Sequence, residues 1–310
     1  VISLLLKMIH KFATMKRYLF LLLFKMIFLL TLLAQDGSVF SNGNWYKITT
    51  NQEGVYKLKY SDFIALGVSV IDIQTNAIKL YGNGGGMLPR LNSDFRHSDL
   101  TENAIKVQDY NNNGLFENGD YILFYGMSAN VWNFNENTNL FEFETHLFSD
   151  EVNYFLTIDN QSVGKRVDEK IFLQNPSQTI TSFSAYAVHE EELENLISSG
   201  SKWFGEEFFH DSKQSFLFSL PDLIQSDYID IEVAVAARSF QSSNFQISIN
   251  SSFLADLSLS SVSPAYATEY AKTASKTTNY NASSPNITIT IDYSSSDNGA
   301  SAWLNYIEIN

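Results

Sequence analysis

Not one of the 310 residues is a cysteine. That excludes a disulfide framework, a thiolate zinc site, a lipid-modified cysteine anchor and a cysteine nucleophile within these residues. It does not fix the compartment, since an exported domain can do without disulfides. Positive charge is also in short supply, with 20 Lys and Arg against 34 Asp and Glu and a net charge of −14. Phosphate binding needs clustered Lys and Arg, and no basic patch stands outside the N-terminus, so nucleic acid is excluded as a partner class. Proline occurs only five times, which leaves few breaks in extended segments. What the chain has in quantity is aromatic, with 24 Phe and 16 Tyr. These residues suit pleated, half-buried surfaces. The composition is that of a globular, mainly β protein, and its length has room for about two domains.

The most informative stretch is Asp109 to Gly126, DYNNNGLFENGDYILFYG. It places oxygen-bearing side chains at Asp109, Asn111, Asn113 and Asp120, with Gly114 sixth. This is the spacing of a calcium loop, with ligands at positions one, three, five and twelve and glycine at the sharp turn. A hard cation takes six to eight oxygens, and alternate residues of a tight loop supply them. Leu115, seventh, would give its backbone carbonyl. Two features depart from the pattern. Position twelve is Asp, which reaches less far than Glu, and the YILFY that follows reads as a buried strand rather than a helix. A plain turn, in which Asn, Asp and Gly tolerate left-handed backbone, stands beside the calcium reading.

Residues 1–34 have the pattern of an export signal, with a charged start at Met15-Lys16-Arg17, an apolar stretch interrupted by Lys25, and Ala34 before a cleavage site. An uncleaved anchor is the alternative, the apolar run lying at the short limit for a span. The residues before Met15 read as an over-extended frame. From Gly43, NWYKITTNQEGVYKLKY predicts a hairpin. Ser61 as N-cap and Gly67 as C′ residue bracket a short helix, DFIAL. Ala77–Tyr81 and Val152–Ile158 read as strands. The NGGGMLP cluster between 83 and 89 lacks the Gly-Lys-Ser/Thr of a phosphate loop, and Met87 stands where a dinucleotide fingerprint needs glycine, so it reads as a turn.

A polar stretch near Gly164 marks the boundary between a β-rich domain at 35–163 and a linker and second domain at 164–310. His189–Ser198 predicts a short amphipathic helix. Its His189-Glu190 lacks the second histidine of a zinc-protease helix, since Leu193 stands in that place. Beyond it, FLFSL (216–220), IDIEVAV (229–235), FQISI (245–249), ITITI (287–291) and WLNYIEI (303–309) read as strands. Their period-two alternation predicts half-buried strands of a two-layer, jelly-roll-like β-sandwich. Ser258–Ser263 and Ser294–Asn298 read as loops. The chain stops directly after a strand, which reads as a cut end. Asn-x-Ser/Thr triplets at Asn160, Asn250, Asn281 and Asn286 matter only in a eukaryotic secretory pathway.

Several segments together resemble one family, the type IX secretion system sortases of Bacteroidetes bacteria (the PorU family). They are WYKITTNQEGVYKLKY at 45–60, IKLYGNGGGMLP at 78–89, DLTENAI at 99–105, GDYILFYG ending at 126, SDEVNYFLTI at 149–158, SSGSKWFGEEF at 198–208 and AWLNYIEIN at 302–310. They keep the family's order and cover nearly everything after the signal. The resemblance implies a gingipain-type cysteine peptidase at the outer membrane surface of a Gram-negative cell. Such an enzyme removes the C-terminal sorting domain of secreted cargo and helps attach that cargo to lipopolysaccharide. The catalytic His and Cys of that family lie on a peptidase domain after the matched region, and nothing here can receive those roles. The resemblance therefore implies a non-catalytic, propeptide-like N-terminal domain followed by a sandwich. Its partners would be a downstream peptidase domain, other secretion-system components and cargo. Two other classes stand beside this one. A free-standing carbohydrate-binding sandwich would use Trp132 or Trp203 as stacking platforms, although lone aromatics in a β-rich domain are more often core. A hydrolase would use carboxylates among Glu190–Glu192 or Glu206-Glu207, although sequence neighbours need not face one site and a solvated acidic face is the simpler reading.

Overall fold

The structure, a computed structural model, describes residues 37–170, 177–200, 202–209, 212–225, 227–265 and 267–310. The expected export signal lies outside these residues. Among them no helix is long and apolar enough to cross a membrane. The chain is mainly β, with several antiparallel sheets and one short α-helix.

In chain order the first elements are β1 (Trp45–Thr50), β2 (Gly54–Lys59), α1 (Tyr60–Ala65), β3 (Ile78–Tyr81), β4 (Glu102–Asn103), β5 (Lys106–Gln108) and β6 (Tyr121–Gly126). A hairpin, β7 (Val131–Asn135) and β8 (Leu140–Glu144), precedes β9 (Val152–Ile158). Then follow β10 (Ala187–His189), β11 (Glu207–Phe208), β12 (Ser212–Ser219), β13 (Tyr228–Arg238), β14 (Ser243–Ile249) and β15 (Ser252–Leu259). The last three are β16 (Lys272–Asn281), β17 (Asn286–Ser295) and β18 (Ser301–Ile309).

Two compact units share these elements. The first takes the chain to Gly84, Leu88–Met127 and Val152–Asp168; the second takes Gly85–Met87, Ser128–Glu151 and Glu169–Asn310. The chain thus visits the second unit briefly at Gly85–Met87 and again at the β7–β8 hairpin, returns for β9, and leaves after Asp168.

In the first unit β1 and β2 form where expected, but they are not a hairpin. β1 pairs with β9 (Trp45↔Thr157 to Thr50↔Val152) in the sheet β1-β9-β3-β4, and β2 pairs with β6 in the sheet β2-β6-β5. Each strand gains a long-range partner with a buried face, such as Tyr154 and Leu156 on β9 or Ile122 and Phe124 on β6. A two-stranded ribbon could not supply that burial. The helix starts two residues earlier than Ser61 predicts: Lys59 is the N-cap, and its N–H donates to the Asp62 carboxylate at 2.7 Å. Its end is as expected, with Gly67 at φ +81° and its N–H donating to the Ile64 carbonyl.

The second unit holds a β-sandwich. One sheet runs β10-β18-β13-β16, with β11 also on β18, and the other runs β12-β17-β14-β15. Alternation builds the space between them. On β17, Ile287, Ile289, Ile291 and Tyr293 are fully buried, while the intervening Thr288, Thr290 and Asp292 face outward. They meet Ile231, Val233, Leu304 and Ile307 of the facing sheet in one continuous core.

His189–Ser198 is not a helix. β10 ends at His189, and only Leu196–Ser198 makes a single 3₁₀ turn, with Ile197 at φ +55°. The backbone of Glu194 exchanges hydrogen bonds with Phe204, and its carboxylate accepts from the Trp303 indole at 2.6 Å. These tertiary bonds take the groups a helix would have used. The two predicted loops are shorter than expected, because β15 continues to Leu259 and β17 to Ser295.

Candidate functional site

The Asp109–Asp120 loop is the connection between β5 and β6, whose last pair is Gln108↔Tyr121. Asp109 and Asp120 therefore begin and end it at the mouth of a hairpin. Beneath, Phe116 is buried against Phe63 of α1 at 4.6 Å between ring centroids. The loop's backbone is tied to the preceding segment by Thr75 N–H to the Gly114 carbonyl (2.9 Å) and Phe116 N–H to the Ile73 carbonyl (2.8 Å). Gly114 lies at φ +80°, so its glycine is required by the backbone rather than by space around it.

The four residues singled out by spacing have different roles. Asp120 is buried, and its two oxygens accept from Tyr110 N–H (3.1 Å) and Glu117 N–H (2.9 Å). It clasps the loop's two ends. Asn111 and Asn113 each accept from the N–H two residues on, at 3.2 and 2.8 Å, in successive Asx turns. Asp109 accepts from Gly114 N–H through Oδ2 at 2.8 Å, but its Oδ1 is buried and has no hydrogen-bond partner. A buried carboxylate oxygen without a donor is costly. Spacing at positions one, three, five and twelve missed Glu117, although it stands ninth, where calcium loops often place a ligand. Its Oε2 accepts from the side-chain amides of both Asn111 and Asn113 at 3.0 Å.

The donor set therefore fits a hard cation in chemistry. It is all oxygen, each Asn carbonyl uses one of two lone pairs in its Asx turn, and Asp109 Oδ1 is open. Among the described residues no group of three or more His, Asp or Glu side chains lies together as a metal site. A cation here would rest on the two amides and the Leu115 carbonyl as much as on carboxylates. An open groove of about 500 Å³ adjoins the loop, lined by Tyr60, Ile71, Asp72, Leu115, Glu117 and Asn118.

Comparison with solved structures gives a TM-score of 0.68 and 21% identity to dimeric latent PorU from Porphyromonas gingivalis, over 88% of this chain. The fold resembles that of part of PorU. The chain spans only 24% of the length of that PorU chain. Two carbohydrate-binding modules of the CBM36 type align far more weakly, each over 41% of this chain with a TM-score of 0.29. One belongs to a multidomain xylanase from the hindgut metagenome of Trinervitermes trinervoides (13% identity, 97% of that chain), and the other is in complex with calcium and xylotriose (10%, 100% of that chain). No protein-family model and no curated protein matches the chain.

Trp132 packs against Tyr186 at 4.2 Å and Phe143 at 5.0 Å, while Trp203 is 37% exposed. Glu206 is held by His189 at 2.7 Å, and His189 lies against the Phe216 ring at 4.7 Å. Burial raises the Glu190 and Glu192 carboxyls, with Glu192 adding to the first and Asp150 to the second.

Proposed function

We propose that this chain is the exported, non-catalytic N-terminal region of a type IX secretion system sortase, carried at the outer membrane surface of a Gram-negative cell. The observation that carries this reading is the fold match to PorU over 88% of the chain and only 24% of PorU. The ordered sequence segments that resemble the same family support it. In this reading the two units present a folded frame to a downstream cysteine peptidase domain, which cleaves the C-terminal sorting domain from cargo and helps anchor that cargo. The cysteine-free sequence leaves the nucleophile to that domain. Deleting residues 37–310 from the chromosomal gene tests the role. Cargo retaining its sorting domain is the expected result. Normal cargo maturation with the peptidase domain still present would contradict it.

The loop's part in this reading is to bind calcium through Asp109, Asn111, Asn113 and Asp120, with Glu117 added at position nine. Calcium would supply positive charge to the unpartnered Asp109 Oδ1 and tie the loop's ends together.

A further inference from the structure

The β7–β8 hairpin is attached to the sandwich through polar contacts at the end of β18, a strand flanked by β10 and β13. Phe141 N–H donates to Asn310 Oδ1 at 2.7 Å, and Asn310 Nδ2 returns a bond to the Phe141 carbonyl at 3.0 Å. One residue pair further along, Phe143 N–H donates to Glu308 Oε1 at 3.2 Å. Glu308 is only 8% exposed, and no cation among the described residues is paired with it. Its direct cross-strand neighbour on β13 is another acid, Glu232. Like charges directly opposite on one sheet face repel. Tyr306 donates its hydroxyl to Glu232 at 3.2 Å, and burial with Glu232 beside it raises the phenol, so it stays a donor.

Anions face Glu308 from every packed element. Glu232 of β13, Glu190 after β10 and Glu142 of β8 act on it directly; Glu192 lies by Glu190 and Asp150 by Glu192, while Glu144 and Asp230 stand two residues from Glu142 and Glu232 on the same faces of their strands. Asn135, Asn133 and Asn279 side chains hold Glu142, Glu144 and Asp230, respectively, by hydrogen bonds that add no charge.

We propose that Glu308 is a proton-dependent latch: neutral, it holds the β7–β8 hairpin on the sheet, and ionised, it loosens the hairpin and uncovers the aromatic cluster of Trp132, Phe141, Phe143 and Tyr186. This cluster is packed at ring separations of 4.2 to 5.0 Å. The latch does not depend on the sortase reading. Burial, then Glu232, Glu190 and Glu142, outweigh the Phe143 N–H and push the Glu308 carboxyl up to about 7. Opening the hairpin rehydrates Glu308 and takes Glu142 away, which lowers the carboxyl toward its ordinary value while Glu232 stays beside it. A raised closed-state pKa means that the closed form holds the extra proton. The attachment is therefore fully present in acid, below the ordinary carboxyl range. It is lost progressively as pH rises, and levels above about 7.

Hydrogen exchange of the full chain, followed by mass spectrometry on peptides covering 131–144, reads this directly once rates are converted to protection factors. Protection in the wild type should fall steeply between pH 5 and 7, by up to about tenfold per pH unit for one proton, and then level. In Glu308→Gln it should stay high and flat. In Glu232→Gln the fall should move to lower pH. Flat wild-type protection would overturn the latch, as would a Glu308→Gln curve with the wild-type slope. If Glu308→Gln does not fold, a Glu232→Gln curve lying on the wild type overturns it.

Discussion

Asp109 holds the most testable single atom in the molecule, a buried Oδ1 with no hydrogen-bond partner at the start of an all-oxygen loop. A ligand held only by the folded state stabilises it by mass action, about 2.7 kcal/mol at a hundred times its Kd. Calcium should therefore raise the melting temperature by several degrees and chelator should lower it. Asp109→Ala should melt alike in both. Wild type that melts identically with and without calcium would leave the loop as a turn and nothing more. A second residue-scale prediction concerns Gly126, at the end of β6. A Cβ there would lie 2.7 Å from the Tyr56 ring and 2.9 Å from the Thr50 methyl. Both neighbours stand on strands of the first unit, so neither yields freely. Gly126→Ala should cost about 1–3 kcal/mol in denaturant unfolding, and a neutral result would show that Tyr56 can swing aside.

At the scale of elements, strands that alternate strictly carry their own signature. β17 is the clearest: Ile287, Ile289 and Ile291 face the core and Thr288 and Thr290 face outward. Ile289→Ala should destabilise by about 2–5 kcal/mol, whereas Thr290→Ala, on the outer face, should change stability by less than about 1 kcal/mol. Comparing urea midpoints of the two variants tests the assignment of faces. What sequence alone could not show was pairing. β1 and β2 are adjacent in the chain and separated by a turn signal, yet each takes a partner more than sixty residues away. Local pattern fixes which face of a strand is apolar, but not which strand covers it. β16, KTASKTTNYN, was illegible for a different reason: it is an edge strand paired only with β13 and carries mostly polar residues. The expected helix at 189–198 failed where Glu194 and Asn195 spent their hydrogen bonds on Phe204, Trp303 and Lys202. Of Leu193, Leu196 and Ile197, the apolar stripe that suggested it, only Leu196 is buried, and the other two are exposed. In the loop, spacing located Asp109, Asn111, Asn113 and Asp120 together. It could not tell that Asp120 spends both oxygens on backbone N–H groups, nor that Glu117 gathers the two Asn amides.

The whole molecule is a pair of compact β units with a net charge of −14 and no cysteine. Its fold resembles a part of PorU that amounts to 24% of that chain. A fold carries many functions, so the central claim turns on what accompanies these units. The most direct measurement is to read the gene beyond the codon for Asn310. The account predicts an open frame continuing into a peptidase-like domain that holds a His and a Cys. A stop codon directly after Asn310 would contradict it and leave a non-enzymatic surface protein in its place.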